Sequence, residues 1–187
     1  MTQEQYDTSI ATRELHLNGF WEKSSHFGLP FYTLIFPATL VLAHLFGYFK
    51  SDPLPFKAGE AWFIAVPLVL GCLFFFIQKR RLKFKVIQTT LTHDQIKAII
   101  EKVAAQLKWN GHFTSAKIYE ATTNPGFFSG SWGEQITILL PDNQVWVNSI
   151  CDLQKRSSVV SMGRNRKNAQ TIIDRIKAAQ QGITASV

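Results

Sequence analysis

The chain has 187 residues and carries twenty Lys/Arg against thirteen Asp/Glu, a formal net charge of +7, which is enough length for one ordinary domain with added elements. Its two cysteines, Cys72 and Cys151, lie far apart with no second ligand at Cys-x-x-Cys or Cys-x-x-His spacing; this excludes a disulfide framework and a zinc site and fits a reducing compartment for the C-terminal part. The charge is uneven: residues 1–78 hold four Lys/Arg and six Asp/Glu, net −2, whereas residues 79–187 hold sixteen against seven, net +9.

Residues 1–26 are polar and read as a separate cytoplasmic N-terminal segment. Residues 27–78 read as a transmembrane hairpin with spans at about 27–49 and 61–78. No charged side chain lies between Lys23 and Lys50, and Phe27–Phe49 is 23 residues, roughly 35 Å of helix against a hydrocarbon core of about 30 Å. Pro30, Pro37 and Pro67 are tolerated in lipid-embedded helices. A secretory signal is not expected, because the apolar run starts late and follows an acidic segment. A buried hairpin in a soluble protein is disfavoured, because a chain this short cannot easily wrap two such helices. His44, one to two turns from the outer end of the first span, reads as an interfacial histidine, since no Asp or Glu accompanies it within either span. The connection Lys50–Glu60 contains Asp-Pro and Leu-Pro and reads as an extended turn.

The second span stops at the stretch "FFFIQKRRLKFK". Lys79, Arg80, Arg81, Lys83 and Lys85 form the largest basic cluster of the chain and mark a juxtamembrane anchor on the cytoplasmic side. Two spans then place both termini in the cytoplasm.

Residues 79–187 read as a cytoplasmic α+β domain. Lys83–Thr90 alternates as a strand. Thr92 and Gln95 have capping-box spacing, and Ile96, Ile99, Ile100, Val103 and Leu107 make one helical stripe that ends at Asn110-Gly111. The stretches "HFTSAKIYEAT", "EQITILL" and "QVWVNSIC" read as strands, with "SSVVS" a short further one. After Gly163, Ala169, Ile172, Ile173, Ile176 and Ala179 share a helix face, with Gly182 as its C-cap. The expected architecture is a two-layer sandwich, an antiparallel sheet of four to five strands with two helices on one face, following the two-helix transmembrane hairpin.

The chemistry is less legible. The loop Asn124–Gly133 surrounds Phe127, Phe128 and Trp132 with small residues, as a cover for the core end or a tip that touches the bilayer or a ligand. It lacks the Gly-Lys-Ser/Thr of a phosphate loop. Glu134, Ser149, Cys151 and Asp152 are the groups an enzyme would use, but Ser149 is in no Gly-x-Ser-x-Gly elbow and Cys151 has only His93 and His112 as candidate bases. A strand cysteine ordinarily serves as a small buried hydrophobe. No metal site or cofactor is expected. Nucleic acid is not an expected partner, because the aromatics are not interleaved with Lys and Arg. The start of the last helix is different: Arg164, Asn165, Arg166 and Lys167 crowd the positive end of its dipole, a natural anion site, with a solvated basic turn as the plainer reading.

The segment "SWGEQITILLPDNQVWVNSICD" with "RSSVVSMGRNRKNAQTI" resembles small uncharacterised two-span membrane proteins of Bacteroidota type. More weakly, the C-terminal segment is similar to a widespread bacterial domain of unknown function that carries Asp-x-Gly-x-Asn-Arg before its last helix. Gly163, Asn165 and Arg166 match, and Ser161 stands where the Asp would be. The resemblance implies a multi-pass protein of the bacterial inner membrane and no particular activity. The expected function is a membrane-anchored cytoplasmic binding module that engages anionic lipid or an acidic partner. The alternatives are an enzyme at the inner membrane surface and a subunit of a larger membrane complex. The candidate partners are the bilayer, another protein and a second copy of the chain.

Overall fold

The computed structural model describes all residues except 52–54, 56, 127–130, 156–157, 159 and 185–187, with the side chains of 183 and 184 also outside the description. Helix α1 (Gln3–Thr12) opens with a capping box: Thr2 Oγ1 accepts from the Gln5 amide and Gln5 Oε1 from the Thr2 amide. It stops at Arg13, whose backbone is left-handed.

Helices α2 (Gly19–Phe49) and α3 (Glu60–Arg81) pack on each other and are both long and apolar enough to cross a membrane. Each extends past the expected span. The polar turns from Gly19 to His26 continue α2 on one side, and Lys79, Arg80 and Arg81 form the last turn of α3, where positive charge complements the helix dipole. The close approach of the pair uses Gly71, where a Cβ would lie 2.7 Å from Leu34 Cδ2. The outer surface is apolar: Tyr32, Leu42, Phe46, Phe63, Val69 and Phe76 are 61–69% exposed. So large an exposed apolar face marks a surface that meets lipid or protein. The buried hairpin of a soluble protein is not what the chain builds. At the far end His44 Nε2 lies 2.8 Å from Glu60 Oε1, so the carboxylate that pairs with this histidine is the first residue of α3.

The domain contains β1 (Lys85–Gln88), α4 (His93–Leu107), β2 (Asn110–Ser115), β3 (Ile118–Thr122), β4 (Glu134–Leu139), β5 (Gln144–Cys151) and α5 (Arg164–Thr184). The five strands form one antiparallel sheet in the order β1-β5-β4-β3-β2. The capping box at Thr92 and Gln95 is formed as expected. Helices α4 and α5 cover one face, burying Ile96, Ile100, Val103, Ile172 and Ile176 against Ile136, Ile138, Val145 and Val147.

Several local readings change. "HFTSAKIYEAT" belongs to two strands, because the chain reverses at Ala116–Lys117 and pairs Phe113 with Tyr119. Asn110-Gly111 begins β2, and α4 is ended by Lys108 in a left-handed conformation. Gly182 lies inside α5. Ser158, Val160 and Ser161 are in no strand, and the remainder of "SSVVS" lies outside the described residues.

The largest change concerns the N-terminal segment, which is part of the domain. Tyr6, Leu15 and Leu17 pack on the second face of the sheet with Phe84, Ile118, Leu139, Trp146 and Ile150. The Leu15 amide donates to Leu82 O (2.7 Å) and the Phe84 amide to Arg13 O (3.1 Å), with Glu14 bridging Lys83. Residues 1–17 and 82–187 therefore fold together, and the apolar hairpin is an insertion whose two ends meet at one place.

Candidate anion-binding cleft

Where α3 runs into the sheet, the backbone turns at Leu82. Asn148, at the middle of β5 and almost fully buried, holds that turn: its Nδ2 donates to the carbonyls of Arg81, Leu82 and Lys83 at 2.9, 3.0 and 3.2 Å. The Leu82 carbonyl also accepts from the Leu15 amide, so Asn148 and the N-terminal segment hold the same turn at the end of α3. β1 pairs with β5 only from Val147 to Gln144, so the edge of β5 beyond Val147 is not covered by β1. The start of α5 lies across from it, and a cleft of about 580 Å³ opens between them.

Two basic groups that are far apart in sequence meet in this cleft. Arg80 and Arg81 come from the last turn of α3, Lys83 and Lys85 from the entry to β1, and Arg166 from the first turn of α5. Among the described residues no Asp or Glu lines it and none of these five side chains is in an ion pair. Arg81 Nη1 is buried with no hydrogen-bond partner among the described residues, as is Asn148 Oδ1. An unfilled buried donor on a cation costs about 1–3 kcal/mol. α5 starts after Gly163 (φ +78), which has no side chain to cap the helix. Met162 just before it holds φ +45, a conformation that costs a non-glycine residue roughly 1–2 kcal/mol, and its apolar side chain is 69% exposed. Val160, Val147 and Ala169 complete an aliphatic wall.

The other proposed members of the basic turn go elsewhere. Arg164 Nε donates to Glu134 Oε1 at 2.9 Å, so its charge is already balanced by a carboxylate. Lys167 is exposed away from the cleft. Lys79 is exposed and does not line it either. Asn165 lines the cleft but its amide is turned to β5: Oδ1 accepts from Ser149 Oγ at 3.1 Å, and Nδ2 lies 3.9 Å from Cys151 Sγ.

Of the four groups considered for catalysis, Ser149 lines the cleft, whereas Glu134, Cys151 and Asp152 do not, and all four are engaged in contacts within the domain. Glu134 is fully buried and its carboxylate accepts from Thr123 Oγ1, Ser131 Oγ (2.5 Å) and Arg164. Asp152 accepts from the Gln154 amide and lies 3.7 Å from Lys155 Nζ, which also donates to Asn124 Oδ1 (2.6 Å) and Thr123 O. These contacts anchor both flanks of the aromatic loop. Trp132 is half exposed, and Phe127 and Phe128 lie outside the described residues. Cys151 faces Asn165 and Val160, and burial pushes its thiol above the ordinary value. Ser149 Oγ accepts from Asn168 Nδ2 (3.3 Å). His93 starts α4 and His112 sits on β2 opposite Glu120; neither lines the cleft. Among the described residues no three His, Cys, Asp or Glu side chains stand together in the manner of a metal site. Comparison with known proteins finds no family model and no curated protein that matches the chain.

The cleft residues invisible to pattern reading are Asn148, Val160 and Met162. Asn148 carried a weak signal, as an amide within the run Val145–Cys151, whose other residues are apolar apart from Ser149.

Proposed function

We propose that the chain is a membrane-anchored binding module whose cleft takes an anionic group at the inner face of a bacterial cytoplasmic membrane. The observation that carries this reading is the convergence of Arg80, Arg81, Lys83, Lys85 and Arg166 in one cleft that no Asp or Glu among the described residues lines. Like charges held together repel, and an anion seated among them relieves that repulsion while filling the free Arg81 donor. The two apolar helices supply the anchor. Because residues 1–17 and 82–187 share one fold, a hairpin that crosses the bilayer twice leaves both flanks on the same side, and the basic last turn of α3 supports the cytoplasm as that side.

The test is titration of the full chain, in nanodiscs of phosphatidylcholine, with pyrophosphate at low and physiological salt. Binding that weakens with salt and falls at least about tenfold in Arg81→Gln/Arg166→Gln is expected, since each charge-assisted hydrogen bond contributes about 1.5–3 kcal/mol. Equal binding by the two proteins, or none by either, would overturn the reading.

A further inference from the structure

The cleft is not uniformly basic. Its cations stand on the α3 and β1 side and at Arg166, while Val160, Met162, Val147 and Ala169 form an aliphatic wall. Val160 and Met162 are 50% and 69% exposed. Among the described residues no aromatic side chain lines it, so these residues offer no platform for stacking a nucleobase. Two of its cations, Arg80 and Arg81, are in the last turn of the same helix whose preceding turns present Phe76 and Leu73 outward. The cleft therefore opens where an apolar helix surface gives way to charge, the level at which a bilayer presents its head groups.

Resting on the anion-binding reading above, we propose that the occupant is an anionic glycerophospholipid, bound head first. Its phosphate lies among Arg81, Lys83 and Arg166, and the glycerol backbone and first acyl carbons lie on Val160 and Met162. The aliphatic wall explains what a simple anion site does not need: a strained, outward-facing methionine at the helix start where glycine or asparagine would be cheaper. A free phosphate or an acidic peptide would use the cations and leave that wall wet.

The experiment compares three probes on the full chain in phosphatidylcholine nanodiscs, with empty nanodiscs correcting for partition: glycerol 3-phosphate, dihexanoyl phosphatidic acid and an acidic octapeptide of aspartates. The short-chain lipid is expected to bind about tenfold more tightly than glycerol 3-phosphate, the gain from burying roughly two methylene groups. A Val160→Ser/Met162→Ser variant is expected to lose that difference while binding glycerol 3-phosphate as the parent does, which also shows that it is folded. Equal affinity of the parent for lipid and glycerol 3-phosphate would overturn the lipid proposal and leave the anion cleft standing. Tighter binding of the octapeptide than of the lipid would replace the lipid by an acidic protein segment. Failure of all three probes to bind would remove the anion cleft itself.

Discussion

Leu15→Ala tests the claim that the N-terminal segment is a structural part of the domain. Leu15 is 4% exposed and packs in the cluster that contains Leu82, Phe84, Trp146 and Ile150. Truncating a buried leucine costs about 2–5 kcal/mol, through lost transfer energy and the cavity left behind. A domain of this size holds about 5–15 kcal/mol in total, so one substitution more than sixty residues before the sheet begins removes a large share of it. At roughly 4 °C per kcal/mol, the melting temperature falls by about 8–20 °C. The assay follows circular dichroism on heating of a soluble chain in which residues 1–17 are joined to 82–187 by a short Gly/Ser linker. The splice is feasible because the Leu15 amide and Leu82 carbonyl are 2.7 Å apart. A shift below about 1 °C, or an unspliced 82–187 fragment that melts as high as the spliced chain, would refute the assignment.

Replacing Glu134 by alanine leaves Arg164 and the hydroxyls of Thr123 and Ser131 without their shared acceptor; a loss of about 3–5 kcal/mol in urea unfolding is expected, and a loss under about 1 kcal/mol would contradict the structural role given to this carboxylate. Cys151 is raised by burial, so its protonated form is favoured by the fold. Whatever stability this contributes is fully present below the ordinary thiol value and is lost as pH rises through the folded one. Maleimide labelling of the native chain is accordingly expected to be slower at Cys151 than in urea at pH 7.5, and equal rates would show an open thiolate. Fluorescent-protein fusions at either terminus are expected to fluoresce and alkaline phosphatase fusions to stay silent; the reverse at either end would refute the same-side arrangement.

The parts of the fold that could be read from sequence are those with a short-range physical cause. The capping box at Thr92 and Gln95 and the stripe from Ile96 to Leu107 lie on one element, and both are where the pattern puts them. The strand face of Val145 and Val147 is likewise set by alternation alone. The N-terminal segment failed for the opposite reason. Its signals were present, a Thr2–Gln5 capping box and the alternating Leu15 and Leu17, but three apolar side chains in a polar stretch acquire meaning only through partners that follow the hairpin. The cleft divides the same way. Its cations stood out as two separate clusters, yet which of them face each other depends on Asn148 turning the chain after α3 and on Glu134 removing Arg164 from the group.

That dependence bears on how an insertion can serve the site. The hairpin is fastened to the domain by more than its two chain ends. His26 Nε2 donates to Gln78 O at 3.0 Å, and Gln78 Nε2 returns a bond to His26 O at 2.8 Å, both groups almost fully buried. The same Gln78 amide also donates to Ser158 O at 3.1 Å. Ser158 Oγ in turn donates to Val160 O at 2.8 Å and accepts from the Val160 amide at 3.0 Å. One side chain thus joins α2, α3 and the segment that carries the aliphatic wall of the cleft. Buried amides with all partners in place tolerate little change of geometry, because each lost bond leaves a desolvated group. The two helices therefore cannot tilt freely against the sheet, and the wall cannot drift from the cations of α3. A tether of flexible chain would hold the domain near a membrane in any orientation. The clasp at His26, Gln78 and Ser158 instead ties the cleft to the two apolar helices, the coupling that the proposed head-group recognition needs.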